Sequence, residues 1–424
     1  MSGERTIAAK PYDERKVLRR NVNQIPEEIA NDMCLNEKIA ALLPSNYNFE
    51  IHKIIWRLKQ ANVARVALQF PEGLIIFATS IAEIISAFLG IEVIILGDVT
   101  YGACCVDDYV ASLNGCTFII HFAHSCLVPL NIMINSIKVL YIFVDIKFDI
   151  FHCINTIKAN FNTELNEPIA MSSTIQFVSS IHSIAKVLKN DHNYNMIIPS
   201  VKPLSPGEVL GCTSPKLDSN VNKIIFVADG RFHLESIMIN NPKGKEFYKY
   251  NPYNKEITRE YYDFDKMIQQ REHAISKAID VFKRNGTIGI ILGTLGRQGN
   301  ATVFKSIENK IKLKANHCSV IKILIPEIKP HLLNAFEDSI DIWVQTSCPR
   351  LSIDWGNDFV HKPLLTTYEL NLALNLVKGV KESGIILSER NDVSLYPMDF
   401  YATNSLGNWT PNHKCNSTCS CNDL

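Results

Sequence analysis

The sequence predicts an α/β fold: three related α/β modules with mostly parallel sheets, arranged around a central metal-cluster site. Three observations predict it. Short Ile- and Val-rich runs alternate with longer apolar runs of helical length, the order that parallel strands joined by crossover helices require. Three of the short runs each lead into a loop that carries a cysteine: Cys104 in EVIILGDVTYGACC, Cys212 in MIIPSVKPLSPGEVLGC and Cys348 in DIWVQTSC. These cysteines stand more than a hundred residues apart, too far for a zinc finger or a Cys-x-x-Cys redox pair. They meet only if separate modules converge, and a soft metal cluster is the reading that fits such a meeting.

Residues 1–39 read as a flexible N-terminal segment, although Pro26-Glu27-Glu28 has the form of a helix start. The first module, 40–150, begins with FEIHKIIWRLKQ (49–60), whose apolar residues fall at helical spacing. A strand over Val63–Phe70 follows. IIFATSIAEIISAFLG then ends at Gly90, and its length favours a buried helix. Ile91–Leu96 is a second strand, so the run is a βαβ unit. Cys116–Phe122 and Val139–Val144 are further strands. In the second module, 151–255, Gln176–Asn190 reads as a helix, and Met196–Val201 and Ile224–Ala228 as strands. The polar stretch NNPKGKEFYKYNPYNKE marks a boundary near 240–256. The third module, 256–390, opens on a charged helical region at 257–284, with strands at Thr287–Leu292, Val320–Ile325 and Asp341–Gln345. Each module places one cysteine beyond the carboxyl end of a strand, where open α/β sheets bind ligands. Residues 391–424 form a C-terminal tail.

Bulk properties narrow the function. With 46% hydrophobic and 20% charged residues the chain can bury several cores. Its 43 basic residues balance 43 acidic ones, which argues against a general nucleic-acid binder. The opening RTIAAKPYDERKVLRRN lacks signal-peptide character, and no apolar run is read as long enough to span a membrane. A cytoplasmic setting is expected, with thiols reduced. Of the 12 cysteines, Cys34, Cys116, Cys153 and Cys318 read as small buried hydrophobes.

The remaining motifs each carry two readings. In GDVTYGACCVDD the adjacent Cys104 and Cys105 cannot both face one point, and Asp107 and Asp108 suit a helix cap. Pro349 after Cys348 stiffens the loop and is a pairing seen at iron–sulfur ligands. Arg350 and Asp354 pair with an amino-acid substrate or with each other. GTLGRQGN is an anion-cradling glycine loop or a tight turn, and it matches neither the Walker nor the Rossmann pattern. In DGRFHLES, Arg231 and His233 serve a site or are solvated. His121, His124 and Cys126 make an incomplete zinc set, with structural roles as the plainer reading. Cys415, Cys419 and Cys421 either hold a metal or belong to a low-complexity tail.

Together ALQFPEGL, GDVTYGACCVDD, HFAHSCLVP, DGRFHLES, LGTLGRQGN and QTSCPRLSIDWG resemble segments of the diphthamide-biosynthesis enzymes over roughly residues 45–400. The resemblance is to the catalytic branch, since the paralogous second subunit does not keep all three cysteines. It implies three α/β domains in a triangle around one [4Fe-4S] cluster held by Cys104, Cys212 and Cys348, with S-adenosylmethionine as substrate. It further implies transfer of a 3-amino-3-carboxypropyl group, by a radical mechanism, to imidazole C2 of a histidine in translation elongation factor 2. The expected partners are the second subunit, in a heterodimer, and a small electron-donor protein. Arg297, Gln298 and Arg350 are the candidates for holding S-adenosylmethionine, because the planar fork of Arg binds both oxygens of a carboxylate. The competing expectation is a non-catalytic iron–sulfur subunit that relays electrons or scaffolds a partner.

Overall fold

The computed structural model describes residues 24–413 except 99, 130–131, 163–166, 242–243, 357, 359–361, 378–379, 382–383, 386–395 and 406. Cys415, Cys419 and Cys421 lie outside the described residues.

Module one holds helices α1 (Met33–Leu42), α2 (Ile51–Gln60), α3 (Ala78–Leu89) and α4 (Asp108–Leu113) and strands β1 (Arg65–Gln69), β2 (Glu92–Leu96), β3 (Phe118–Phe122) and β4 (Lys138–Ile142). The strands are all parallel, in the order β2-β1-β3-β4. Ile51, Ile54, Ile55 and Leu58 put one apolar stripe of α2 into the core. Gly90 ends α3 in the left-handed conformation, at φ 65°. Against expectation, Glu72–Leu89 does match a membrane span in length and composition. It begins as a 3-10 turn, Glu72–Phe77, and buries Ile81, Ile84 and Ile85 in the first core. The N-terminal segment also departs from its reading. Glu27–Ala30 is helical, and Ile29 and Leu35 are buried in the same core.

Module two contains α5 (Ile150–Asn160), α6 (Val178–His192) and α7 (Phe232–Asn240) with strands β5 (Ile169–Ser173), β6 (Met196–Ile197), β7 (Lys223–Val227), β8 (Glu246–Asn251) and β9 (Glu256–Glu260). Their order is β9-β8-β7-β5-β6, parallel except for the β8–β9 hairpin. Two expectations are corrected. The boundary read at 240–256 falls inside the sheet, because Glu246–Asn251 and Glu256–Glu260 form its edge hairpin. The region 257–284 is not helical throughout; its first residues are β9, and the helix starts at Phe264.

Module three holds α8 (Phe264–Lys283), α9 (Ala301–Lys314), α10 (Pro349–Asp354) and α11 (Thr367–Ala373) with strands β10 (Thr287–Gly293), β11 (Ser319–Ile325), β12 (Ile342–Gln345) and β13 (Leu364–Leu365). The order is β11-β10-β12-β13, all parallel. Arg271 of α8 and Glu369 of α11 make a buried forked ion pair, with nitrogen–oxygen distances of 2.6 Å on both arms.

All three sheets therefore share one order: second strand, first, third, fourth. That is the doubly wound pattern whose ligand crevice opens beyond the carboxyl ends, where the strand order reverses. The cysteines do not repeat as exactly as the strands. Cys104 and Cys212 follow the second strand of their sheets, whereas Cys348 follows the third.

Candidate metal centre

Cys104, Cys212 and Cys348 line one cavity of about 430 Å³, together with His124, His233, Gln298, Arg350 and Tyr401 among others. Three loops bring the thiols there, each pinned by backbone hydrogen bonds.

The Cys104 loop is a 3-10 turn, Ala103–Cys105. Gln69 Nε2 donates to the Cys105 carbonyl at 2.9 Å, and Arg297 N donates to the Cys104 carbonyl at 3.0 Å. Cys105 is buried, and its sulfur lies 4.0 Å from that of Cys104. Asp107 caps α4 by accepting from Val110 N. The glycine loop of module three, GTLGRQGN, seats against this turn. Gly296 has φ +52°, and a Cβ there would sit 2.3 Å from the Cys105 carbonyl oxygen. Glycine is needed both for the left-handed backbone and for the close approach. The loop is thus a seam between modules one and three rather than an anion cradle.

Arg297 lies in that seam. Its Nε and Nη2 reach Asp108 at 2.7 and 2.6 Å, and its guanidinium stacks 4.0 Å over the Tyr109 ring. The fork expected to hold a substrate carboxylate already holds a protein one, so Arg297 leaves the list of substrate ligands.

The Cys212 loop is held from the C-terminal side. Phe400 N donates to the Cys212 carbonyl at 3.1 Å, Tyr401 N to Thr213 Oγ1 at 2.9 Å, and Thr213 Oγ1 to the Cys212 sulfur at 3.8 Å. The tail read as unassigned therefore reaches the site, and Tyr401 was missed. Cys348 precedes Pro349, the first residue of α10, and its carbonyl accepts from Gln345 Nε2 at 2.8 Å. Proline suits that position, because a first-turn N–H has no helical acceptor.

Arg350 is buried, and its guanidinium is fully engaged. Nε binds Asp354 at 2.8 and 3.0 Å, Nη1 donates to the Phe232 carbonyl at 2.8 Å, and Nη2 meets Glu235. It lines the cavity as a fixed cation rather than an open carboxylate clamp. Gln298, also buried, keeps its place on the wall. Cys348 is held below the ordinary thiol range by the hydrogen bond from Cys212 and by Arg350 nearby. Cys212 moves upward as that pair's donor and through burial, and Cys104 moves upward through its bond with Cys105 and burial.

His233 and His124 are both pushed down to about 4, in each case chiefly by burial, with Arg350 adding to the effect on His233 and His233 to that on His124. His121 bonds Gln69 Oε1 at 2.9 Å and His124 Nδ1 at 3.0 Å, and Cys126 is exposed. No zinc set forms there. Arg231 is bound to Glu235 and Glu260 at the surface. Among the described residues no three His, Cys, Asp or Glu side chains close tightly enough for a single metal ion.

A family model described as "Putative diphthamide synthesis protein" matches residues 70–384. Curated relatives named 2-(3-amino-3-carboxypropyl)histidine synthase subunit 1 include one from Nematostella vectensis, 49% identical over 94% of this chain and 78% of the relative. Those of Homo sapiens and Saccharomyces cerevisiae are each 46% identical, over 93% and 94% of this chain and 84% and 89% of the relatives. Among solved structures, a crystal structure of Dph2 from Pyrococcus horikoshii with a 4Fe-4S cluster has a TM-score of 0.63 at 24% identity, covering 83% of this chain and 97% of that one. That likeness bears on the fold alone. On its sequence, the chain belongs to the diphthamide synthesis family, within the transferases named 2-(3-amino-3-carboxypropyl)histidine synthase subunit 1.

Proposed function

We propose that the chain catalyses the first step of diphthamide biosynthesis. It moves the 3-amino-3-carboxypropyl group of S-adenosylmethionine to imidazole C2 of a histidine in translation elongation factor 2, and methylthioadenosine leaves. Cys104, Cys212 and Cys348 hold a [4Fe-4S] cluster in this reading. The observation that carries it is the meeting of three thiols, one from each module, on one cavity.

The donor set fits the group. Soft thiolates suit iron, and three of them leave one cluster position open to substrate. When bound, the cluster supplies the single electron that cleaves the bond between sulfonium and aminocarboxypropyl chain. The protein's own work is positional. Arg350, fixed by Asp354 and Glu235, places a positive charge beside Cys212 and Cys348 and favours their thiolates. His124 and His233 stay neutral at physiological pH and so add no further charge to the wall. Phe232, Leu351 and Trp355 give the cavity an apolar side that limits water around a reactive carbon species. Gln298 is the remaining polar candidate for orienting S-adenosylmethionine.

The same reading places the chain in the cytoplasm, paired with the paralogous second subunit and supplied with electrons by a small donor protein. Mixing chain, second subunit, reductant and S-adenosylmethionine tests it. Methylthioadenosine release is expected to require all three cysteines of this chain. Release that persists with Cys104, Cys212 and Cys348 replaced would overturn the catalytic reading and favour a relay or scaffold.

A further inference from the structure

Residues 396–413 lie outside the stretch matched by the family model, and the proposed chemistry gives them no task. The described residues among them are nevertheless built into the site. Tyr396 anchors the segment on module three, where its hydroxyl donates to Glu369 Oε1 at 2.8 Å. A second anchor lies further on: Thr367 Oγ1 donates to the Trp409 carbonyl at 2.8 Å, and Lys310 Nζ donates to Asn408 Oδ1 at 2.6 Å. Between these anchors the chain crosses to module two. Ser214 N donates to the Met398 carbonyl at 2.9 Å, and Thr403 N to that of Lys202 at 2.9 Å. With the bonds to Cys212 and Thr213 given above, the segment straps the module-two cysteine loop to module three. Phe400 and Tyr401 pack against the three cysteines. Tyr401 is 5% exposed, lines the cavity, and packs in one cluster with Cys104, Cys212 and Cys348.

We infer that this strap is a wall of the cluster site and that Tyr401, packed among the three cysteines, is a positioning residue whose hydroxyl donates a hydrogen bond to a ligand sulfur. The inference rests on the reading of the three cysteines as cluster ligands. A donor to a ligand sulfur withdraws electron density from it. It therefore favours the reduced, more negative cluster and raises its potential. The strap also helps to hold Cys212 on its long loop, since Phe400 N bonds the Cys212 carbonyl and Tyr401 N bonds Thr213 Oγ1.

The test uses the full chain, reconstituted anaerobically with iron and sulfide, as wild type and as Tyr401→Phe. Phenylalanine keeps the ring and removes only the hydroxyl. Iron and sulfide per chain are expected to be unchanged, while an EPR-monitored titration with dithionite gives a midpoint displaced to more negative potential. An unchanged midpoint and spectrum overturns the inference. Loss of the cluster from a folded Tyr401→Phe protein overturns it as well, since the hydroxyl then serves assembly and not tuning. Wild-type protein that takes up no iron is a separate failure, which removes the cluster reading itself.

Discussion

Replacing Gly296 by Ala probes the seam that presents Cys104. The backbone there is left-handed, at φ +52°, and an L-residue with a Cβ costs roughly 1–2 kcal/mol in that conformation. The new Cβ would also lie 2.3 Å from Cys105 O and 2.8 Å from Val106 O. Both are backbone atoms, so no side chain can swing away, and overpacking of this kind adds roughly 1–3 kcal/mol. The sum is about 2–5 kcal/mol, concentrated where Arg297 N binds the Cys104 carbonyl. The control is Gly73→Ala, where a Cβ meets nothing within 4 Å and the expected change is within about 0.5 kcal/mol. Urea unfolding followed by tryptophan fluorescence and circular dichroism reads the stability, and iron content after reconstitution reads the site. Gly296→Ala is expected to lose both, and Gly73→Ala neither. Equal urea midpoints and equal iron in the two variants would refute the seam as the support of Cys104.

Other perturbations reach different links. Arg297→Lys cannot make the forked bond to Asp108, a side chain with no exposure, and is expected to lower stability by roughly 1–3 kcal/mol. Calorimetry should find its affinity for S-adenosylmethionine unchanged; a tenfold loss of affinity with stability intact would restore Arg297 as a substrate ligand. Glu369→Gln leaves the Arg271 charge buried and is expected to cost roughly 3–5 kcal/mol in urea unfolding; a cost under about 1 kcal/mol would show that water reaches the pair. The two cavity histidines make the iron-free protein acid-sensitive. Their folded pKa near 4 lies below the ordinary 6.5, so the folded state binds fewer protons. Their stabilising contribution is full above pH 6.5 and is lost as the pH falls through that value towards 4. Allowing for partial solvent contact in an open cavity, the loss is about 2–3 kcal/mol for each ring. His233→Gln should flatten the fall in urea midpoint between pH 7 and pH 4.5, and an unchanged slope would contradict it.

Much of the fold was legible because parallel strands buried on both faces read as Ile/Val runs. RVALQ, EVIIL, KIIFV and TIGIILG were found within a residue or two. The interior strand β5 was missed because IAMSS ends in two serines. Ser172 and Ser173 are fully buried, and Ser173 bridges Glu208, so no apolar run marks it. The β8–β9 hairpin was read as a boundary because its residues are mostly polar, with only Phe247 and Tyr250 of the strand residues buried. At the site, the convergence of the three cysteines on one cavity was legible from their positions after strands. Arg297 was misread because its carboxylate is remote, Asp108 lying 189 residues away; for Arg350 the pairing with nearby Asp354 was one of the two readings, and only its second carboxylate, Glu235, is remote, at 115 residues. Spacing cannot reveal a partner that only the packing of modules supplies. Tyr401 was invisible for the same reason, since its segment has neither helical nor strand periodicity and takes its shape from the surfaces it crosses.

The most direct measurement is iron and sulfide per chain, counted anaerobically on wild type and on single Cys→Ala variants. The account predicts about four of each in wild type, loss from Cys104→Ala, Cys212→Ala and Cys348→Ala, and retention in Cys126→Ala. Iron-free wild type, or a Cys126→Ala variant as depleted as the other three, would contradict it.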